Sequence, residues 1–574
     1  MSTTTDDARQ SIAPARGLTA VLDLAASSHR RAAALLLVAA LLAFLPGFFQ
    51  IPPVDRDEAR FAQATKQMIE SGEYVDIRFQ DEVRYKKPVG IYWLQAAAVK
   101  TGQALGVPNA LTTIWLYRLP SLIGAIGAVL LNYWAALAFV ARRGALIAAL
   151  MMASSILLGV EARLAKTDAM LLLTCVAAMG AMARIYLISR RTPDAPAGWI
   201  LPGILWTALA SGVLIKGPLI LMFVALTALT LSIADRSGRW VWRLRPWSGL
   251  GWLIVLVLPW FIAIVAKSGD SFFVQAIGQD MLSKVTSGQE AHGAPPGYYL
   301  LLFWVTFWPG CVLAGLAAPM VWKARREPGA QFLLAWLIPS WIVFEAVMTK
   351  LPHYVLPLYP AIAILIAGIL EKGALARTPW MVRGTAGWFA FPVLIAIAVG
   401  VGFIVVGKEL GLAAWPSAAV AVIAGLFAWR LYEVDGAERS LLRGMVASVF
   451  IAVTVYGVTF PSLPALFPSA LIADEVRSTG CVQPQVASTF AYQEPSLVFM
   501  VGTGTRFTYG AGAAEFLGQG LCHFALIDAR SIAAFAQRAN AIGLRYAQTQ
   551  RIDGYNISIG RPVNLTLFRS TEAP

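Results

Sequence analysis

Acidic and basic side chains crowd together between residues 54 and 88, within otherwise apolar sequence. Carboxylates can stabilise a developing sugar cation or accept a proton, while Lys and Arg can neutralise a phosphate leaving group. Together these residue types suit transfer of a sugar from a phosphate carrier. The residues concerned are Asp55, Asp57, Glu58, Arg60, Arg84, Tyr85, Lys86 and Lys87.

Three later stretches repeat this mixture of charges at the ends of apolar runs. They are Arg163 with Lys166 and Asp168, Lys216, and Lys350 with His353 and Tyr354. A single cation at such a position is equally well explained by contact with lipid headgroups. The sequence has no nucleotide-phosphate loop, so we expect a donor that lies in the membrane.

The composition is that of a multi-pass membrane protein. Of the 574 residues, 58% are hydrophobic and 14% are charged, and the mean hydropathy is +0.64. Runs nearly free of charge recur along the chain and predict about thirteen membrane-spanning helices. The net charge of +14 lies mostly in short clusters between these runs, which is typical of cytoplasmic loops and argues against nucleic-acid binding.

The basic clusters also predict the orientation of the chain. Pairs such as Arg30-Arg31, Arg142-Arg143 and Arg190-Arg191 recur in alternate loops, which should therefore be cytoplasmic. The charged stretch near residue 54 then lies outside. The predicted organisation is a cytoplasmic tail (1–31), a transmembrane domain (32–462) with an extracytoplasmic loop (54–114), and an extracytoplasmic α/β domain (463–574).

The first part of the extracytoplasmic loop has the pattern of a helix lying along the membrane. Asp57 is a candidate N-cap, Phe61 and Met68 fall on one face, and Gly72 is placed to end the helix. Pro88 suits the first turn of a second helix. Both Asp55 and Asp57 should then lie at a helix start that faces water.

The carboxyl-terminal stretch alternates short β-like runs with one helical run. Cys481 and Cys522 are its only cysteines, and they can pair in an oxidising compartment. Gly502 to Thr505 is read as a turn. The predicted strands are 485–490, 496–501, 522–527 and 557–568, and the predicted helix is 531–542.

A divalent metal is not required by the sequence but has candidate ligands. Glu82 and His292 are the residues we select, and Glu58 and Glu290 are further carboxylates that could join them. No dense ligand motif is present. Glu345 falls inside an apolar run, where a carboxylate is costly and needs a polar partner.

The order and spacing of these motifs resemble a known family, the bacterial 4-amino-4-deoxy-L-arabinose lipid A transferases. These belong to the protein O-mannosyltransferase-like branch of the lipid-dependent (GT-C) glycosyltransferases. The resemblance covers about Pro52 to Tyr359. The motifs are Asp57-Glu58-Ala59-Arg60-Phe61-Ala62, Arg84-Tyr85-Lys86-Lys87-Pro88, Thr167-Asp168-Ala169, Lys216-Gly217-Pro218 and Lys350-Leu351-Pro352-His353-Tyr354.

The resemblance implies a substrate pair and a place. The donor is aminoarabinose on undecaprenyl phosphate, and the acceptor is a phosphate group of lipid A in lipopolysaccharide. Transfer takes place at the outer (periplasmic) face of the bacterial inner membrane. Because it lowers the negative charge of lipopolysaccharide, it weakens attraction of cationic peptides such as polymyxin.

The resemblance also suggests roles for single residues. Asp57 matches the acid of the first-loop Asp-Glu motif, and Asp168 matches the acid at the start of the fourth span. Asp55 is an additional carboxylate, which leaves open whether Asp55 or Asp57 is the principal acid. Asp168 is expected to pair with the ammonium of the aminosugar. The residues expected to bind the lipid phosphate are Arg60, Tyr85, Lys86, Lys87 and Tyr354.

Lys86 departs from the family pattern, since an acidic residue is expected before the matching lysine, Lys87. Two other functions are compatible with the sequence. One is a related transferase whose acceptor is a protein or glycan hydroxyl, for which Asp57 would have to be a true base. The other is a lipid or sugar transporter, although a transporter should place its charges near the middle of the bilayer.

Overall fold

The protein is described here by a computed structural model, which covers residues 17–192, 198–269, 271–275 and 293–571. Helices form most of the chain before residue 460. The first of them are α1 Leu18–Ala26, α2 His29–Phe44, α3 Asp57–Ser71, α4 Gly90–Ala104, α5 Ile114–Ala136, α6 Arg142–Ser154, α7 Ile156–Glu161, α8 Asp168–Arg191, α9 Ile200–Lys216, α10 Leu219–Ala234, α11 Pro246–Ser268 and α12 Ser271–Phe273. They are followed by α13 Tyr298–Thr306, α14 Cys311–Lys323, α15 Pro328–Ala346, α16 Tyr359–Glu371, α17 Pro379–Arg383, α18 Gly387–Gly402, α19 Trp415–Arg430 and α20 Tyr432–Ala452.

Eight helical segments in the described part of the chain are long and apolar enough to cross a membrane. The protein is therefore a multi-pass membrane protein, as predicted. These segments are Ile114–Ala136, Asp168–Arg191, Pro246–Ser268, Pro328–Ala346, Pro352–Glu371, Pro379–Gly407, Leu412–Arg430 and Tyr432–Thr459. Three shorter apolar helices, α9, α10 and α14, lie among them.

Several predicted spans are not single helices. The charge-free residues 32–54 predict one span, but helix α2 ends at Phe44. Pro46, two residues later, lacks the N–H that would extend the hydrogen bonds of the helix. The run from Gly144 to Val160 is divided between α6 and α7 at Ser155, whose backbone is extended. Charge-free length is thus necessary for a crossing but does not show where a helix bends or ends.

Residues 54–114, which we call the extracytoplasmic loop after their predicted location, contain two helices, α3 and α4, joined by a small hairpin of β1 Arg78–Phe79 and β2 Glu82–Val83. Helix α4 begins at Gly90, so Pro88 precedes it and the prediction that Pro88 lies in its first turn is wrong. Helix α3 ends as expected at Gly72, which takes a left-handed conformation with φ of 72°. Its start differs by one position: Arg56 is the N-cap, and Asp57 is the first helical residue. The Asp57 carboxylate therefore does not cap the helix.

After residue 467, helices and strands alternate around a five-stranded sheet. The strand order is β4-β3-β5-β7-β6; β3 is parallel to β4 and β5, whereas β7 is antiparallel to β5 and β6. The elements are α21 Pro468–Ser478, β3 Gln485–Thr489, α22 Pro495–Val501, β4 Arg506–Thr508, α23 Gly510–Leu517, β5 His523–Asp528, α24 Ile532–Ala541, β6 Tyr546–Asn556 and β7 Arg561–Ser570. We call residues 468–571 the carboxyl-terminal region.

Cys481 and Cys522 form a disulfide in this region, as the sequence suggested. The predicted strand at 496–501 is wrong, because these residues belong to α22. Pro495 occupies the first helical position, where its fixed φ favours a helix, and a short apolar run does not by itself distinguish strand from helix. The predicted turn at Gly502 to Thr505 is present, with a hydrogen bond from the Thr505 N–H to the Gly502 carbonyl of 3.1 Å.

Buried polar contacts surround the end of α15, which leads into the turn Pro352–Leu358 before α16. Glu345 accepts hydrogen bonds from the backbone N–H groups of Gly297 and Tyr299 at 2.8 and 3.2 Å. These are the polar partners that a carboxylate in an apolar run requires. Lys350 is buried and donates to the carbonyls of Glu345 and Val347 at 2.8 and 2.6 Å, which caps the end of α15.

An ion pair between Glu58 of α3 and Arg118 of α5 anchors the extracytoplasmic loop to the membrane helices. Both side chains are 1% exposed, and the Arg118 Nε lies 2.7 Å from the Glu58 Oε1. Arg118 also donates to the carbonyls of Phe48, Ile51 and Pro52. One guanidinium thus joins the end of the first apolar run, the loop and α5.

Replacing Arg118 with Met should lower the melting temperature of the purified protein sharply. The substitution leaves the Glu58 carboxylate buried without a cation, which costs about 3–5 kcal/mol. Thermal unfolding followed by fluorescence measures the effect. The control is Arg477→Met, which removes an exposed pair with Asp474 and should cost less than about 1 kcal/mol; equal losses in the two variants would contradict the anchoring role.

Candidate functional site

The three acids at the start of the extracytoplasmic loop have three different environments. Glu58 has a structural role. Besides its bonds with Arg118, it accepts hydrogen bonds from the backbone N–H groups of Val54 and Ala165, each at 2.8 Å. Its carboxylate is therefore surrounded by donors on all sides. These contacts make Glu58 an anchor, and a ligand role toward a metal does not fit them.

The prediction that Asp55 faces water is wrong, because Asp55 faces the carboxyl-terminal region. Its two carboxylate oxygens accept hydrogen bonds from the backbone N–H of Ser496 at 2.9 Å and from the Ser496 Oγ at 2.8 Å. Burial and the nearby Glu494 carboxylate raise the pKa of Asp55 to about 7, although the bonds from Ser496 oppose this shift. Asp55 is consequently close to half-protonated near neutral pH.

Asp57 is the exposed acid of the three, at the first residue of α3. Its negative charge acts on Lys166, in the short connection between α7 and α8. Lys166 is 8% exposed. Burial alone would lower the pKa of Lys166, but three neighbouring carboxylates raise it, so this amine stays charged.

Asp168 begins α8 and is buried among cations. It forms an ion pair with Lys216 at the end of α9. The Lys166 Nζ lies 3.8 Å from the Asp168 Oδ2, and the His353 Nε2 lies 3.7 Å from its Oδ1. The start of α8, the end of α9 and the turn before α16 therefore meet at this carboxylate.

Glu161, at the end of α7, is a further buried acid of the same cluster. Its Oε1 lies 3.2 Å from the Lys166 Nζ and 3.7 Å from the His353 Nδ1. The sequence groups His353 with Lys350 and Tyr354 but assigns it no role, and Glu161 is not among the predicted site residues. A carboxylate at the end of an apolar run, seven positions before Asp168, was the signal that could have identified Glu161.

Glu161, Asp168 and His353 are close enough to share a cation, because their ligand atoms lie within 4.8 Å of one another. Lys166 and Lys216 already contact these carboxylates. Two ammonium groups supply the positive charge that a divalent ion would bring, so this set of donors does not fit a metal well. Of the two metal ligands we selected, Glu82 lies exposed in β2, and His292 falls outside the described residues.

The predicted phosphate-binding residues lie in two environments. Lys87 is partly buried, its Nζ donates to the Lys86 carbonyl at 2.8 Å, and its charge acts on His353. Tyr354 lies beside Lys216, whose Nζ is 5.5 Å from the centre of the Tyr354 ring. Lys87 and Tyr354 therefore border the cluster of Lys166, Asp168 and His353.

Tyr85 points elsewhere: its hydroxyl donates to the Asp76 carboxylate at 2.7 Å, and its ring packs on Phe272 with a centroid separation of 5.5 Å. Burial and Asp76 raise the pKa of Tyr85 to about 12. Lys86 is exposed and Arg60 is half-buried. A role for Tyr85 at the phosphate would require its hydroxyl to leave Asp76.

Parts of this chain match a known family model, and its fold matches a solved structure. Residues 34–271 match the family model described as dolichyl-phosphate-mannose-protein mannosyltransferase. The whole fold is similar to a crystal structure of ArnT from Cupriavidus metallidurans bound to undecaprenyl phosphate, with a TM-score of 0.71 and 18% identity over 93% of this chain and 97% of that one. The protein thus has the same fold as that ArnT structure.

Several sequence relatives share one name, undecaprenyl phosphate-alpha-4-amino-4-deoxy-L-arabinose arabinosyl transferase. The relative from Edwardsiella ictaluri is 28% identical over 340 residues, which are 57% of this chain and 57% of the relative. That from Aeromonas hydrophila is 26% identical over 74% of this chain and 76% of the relative. The resemblance to aminoarabinose transferases is confirmed.

Contact between the extracytoplasmic loop and the carboxyl-terminal region should weaken as the pH rises from about 4 to about 7. The raised pKa of Asp55 means that the docked loop binds a proton more tightly than the free loop. The free energy of docking is then most favourable at a pH where Asp55 is protonated. It stays constant at pH values above the pKa that Asp55 has in the docked loop. Glu494, Glu58 and Tyr492 are the other ionisable groups that interact with Asp55.

Hydrogen exchange of α3, corrected for its intrinsic pH dependence, measures this effect between pH 5 and pH 7.5. Protection of α3 should be lower at the higher pH. In the Asp55→Asn variant, which is neutral throughout, the difference should disappear. A difference that persists in this variant would assign the pH dependence to another group.

Proposed function

We propose that this protein transfers 4-amino-4-deoxy-L-arabinose from undecaprenyl phosphate to phosphate groups of lipid A. The names of its sequence relatives support the donor, and a structure with the same fold holds undecaprenyl phosphate. The observation that carries the proposal is the buried cluster in which Asp168 contacts Lys166, Lys216 and His353. The charges of Asp57 and Lys87 act on Lys166 and His353 of this cluster.

The proposed setting is the bacterial inner membrane. With about thirteen crossings and basic clusters on the cytoplasmic side, the chain would place its amino terminus inside. The extracytoplasmic loop and the carboxyl-terminal region would then lie together on the periplasmic side as an α/β domain. The disulfide between Cys481 and Cys522 supports this placement, because such bonds persist in oxidising compartments.

In the proposed reaction, an oxygen of a lipid A phosphate attacks the anomeric carbon of the sugar. The bond from that carbon to the undecaprenyl phosphate oxygen breaks, and its electron pair leaves with the phosphate. The attacking phosphate is already ionised near neutral pH, so the step needs no proton acceptor. What the protein must supply is orientation and charge.

Asp57 is the acid best placed for this task. Glu58 is enclosed by Arg118 and backbone donors, and Asp55 is bound to Ser496. Asp57 remains exposed beside the cluster, where its carboxylate can orient the acceptor and stabilise positive charge on the sugar. We therefore assign Asp57, rather than Asp55, as the principal acid.

The cations would hold the two phosphates. Lys87, with Arg60 and Lys86 on the same loop, would bind the lipid phosphate, and Tyr354 would donate a hydrogen bond to it. Asp168 already pairs with Lys216, so pairing with the sugar ammonium would require Asp168 to share its charge. Its first role would be to hold Lys216 in the cluster.

A related transferase with a hydroxyl acceptor is the second candidate, because the matching family model is named for a protein mannosyltransferase. Mass spectrometry of lipid A from cells with and without this protein separates the two. A mass increase of one aminopentose on lipid A is expected only with the protein present. Unmodified lipid A together with a newly glycosylated protein or glycan would favour the second candidate.

Replacing Asp57 with Asn should lower transfer in membranes at least a hundredfold, a loss of about 2.7 kcal/mol of transition-state stabilisation. The change keeps the size of the side chain but removes its charge. The rate is measured with donor lipid and purified lipid A. Asp474→Asn, at an exposed position in the carboxyl-terminal region, is the control; normal transfer by Asp57→Asn would refute the assignment.

Replacing Lys87 with Gln should raise the KM for the undecaprenyl phosphate donor about tenfold, because one cation at the lipid phosphate is lost. Steady-state kinetics at varied donor concentration measures this change. The matched control is Lys372→Gln, which removes an exposed lysine paired with Glu327. A fall in kcat with an unchanged KM would show that Lys87 stabilises the transition state but does not contribute to binding of the donor.

A further inference from the structure

The carboxyl-terminal region is bonded to the extracytoplasmic loop through a set of polar contacts in addition to Asp55. The Lys66 Nζ donates to the Phe499 carbonyl at 2.9 Å. The Gln63 Nε2 donates to the Thr503 Oγ1 at 2.9 Å. Gln80 donates to the carbonyls of Thr503 and Thr505 at 3.0 and 2.5 Å. We call these contacts, together with the Asp55 to Ser496 bonds, the loop interface.

Part of the loop interface is buried. Lys66 is 4% exposed and Phe499 is 0% exposed. The Phe499 ring packs against the Tyr117 ring of α5, with centroids 5.2 Å apart. Burial lowers the pKa of Lys66, and a buried amine is costly unless it is bonded. Contacts of this kind specify one docked arrangement, whereas exposed polar contacts would permit several.

Asp55 is the part of the loop interface nearest the proposed reaction. It stands two residues before Asp57, and both of its oxygens are bonded to Ser496. Glu58, one residue after Asp57, is held by Arg118 of α5. Asp57 thus lies between two fixed carboxylates, one bound to the carboxyl-terminal region and one bound to α5.

We propose that the carboxyl-terminal region is a positioning element for the transfer reaction, and that Asp55 is a positioning residue that acts through Ser496 on Asp57. This inference rests on the proposed function of Asp57. The bonds from Ser496 fix the backbone before α3, which sets the distance from Asp57 to Lys166 and the cluster around Asp168. Asp55 itself does not touch the substrates.

The test compares two substitutions of Asp55 in the full-length protein, in membranes. Asparagine can still accept a hydrogen bond from the Ser496 N–H and bond its Oγ, so Asp55→Asn should keep kcat within about twofold of the wild type. Asp55→Ala and Ser496→Ala should each lower kcat about tenfold, equivalent to about 1.4 kcal/mol. The KM for the lipid donor should change little, because the phosphate-binding cations are untouched.

Two controls separate positioning from general damage. Ser531→Ala removes another serine to aspartate bond of the carboxyl-terminal region, to Asp528 at 2.6 Å, but lies away from the loop interface and should leave kcat unchanged. The double variant Asp55→Ala with Ser496→Ala should be no slower than Asp55→Ala alone, since both changes break the same contact.

Other outcomes would overturn the inference. If Asp55→Asn is as inactive as Asp57→Asn, Asp55 acts as a charged catalytic group. If Ser496→Ala retains full kcat and unchanged hydrogen exchange at the start of α3, Ser496 does not position the loop. A wild-type protein that transfers no aminoarabinose refutes the proposed function instead. In that case, hydrogen exchange of α3 in the Ser496→Ala variant still shows whether docking of the loop depends on Ser496.

Discussion

The ion pair between Glu58 and Arg118 is the interaction on which the candidate site depends. Arg118 is buried inside a membrane helix, where an unpaired guanidinium would be unstable, and its donors are satisfied by Glu58 and by three carbonyls of residues 48–52. The same carboxylate binds the N–H of Ala165, one residue before Lys166. The loop and the segment that leads into Asp168 are therefore fixed by one side chain.

Near Asp168 the charges are almost balanced within the protein itself. Lys166 and Lys216 face Glu161 and Asp168, with His353 between the two acids. Low polarity strengthens these interactions and makes any unbalanced charge costly. A substrate that carries both a phosphate and an ammonium group could exchange partners with such a cluster without changing its net charge.

Short-range sequence patterns correctly predicted the elements that depend on neighbouring residues. The charged loop, the end of α3 at Gly72 and the helix near residues 532–541 follow from short-range patterns. The role of Glu58 could not be predicted, because its partner Arg118 lies 60 positions away inside an apolar run. The same holds for Asp55, whose partner Ser496 is 441 positions away.

Some sequence patterns were ambiguous because two different structures can have the same pattern. A short apolar run served equally for the strand expected at 496–501 and for the helix that forms there. Similarly, a charge-free run did not reveal the break at Ser155 between α6 and α7. The convergence of the loop, α8 and the turn before α16 was expected because all carry charge on one face. The part of Glu161, and its distances to His353 and Asp168, could not be read from the sequence.

The loop interface has a consequence for the biosynthesis of this protein. A ribosome completes the extracytoplasmic loop long before it reaches Ser496, Phe499 and Thr503, which follow all the membrane-crossing helices. During that interval Lys66 and Asp55 have no docking surface. A nascent chain inserted in the membrane would therefore lack the loop interface, which would form only once the carboxyl-terminal region had folded against the loop.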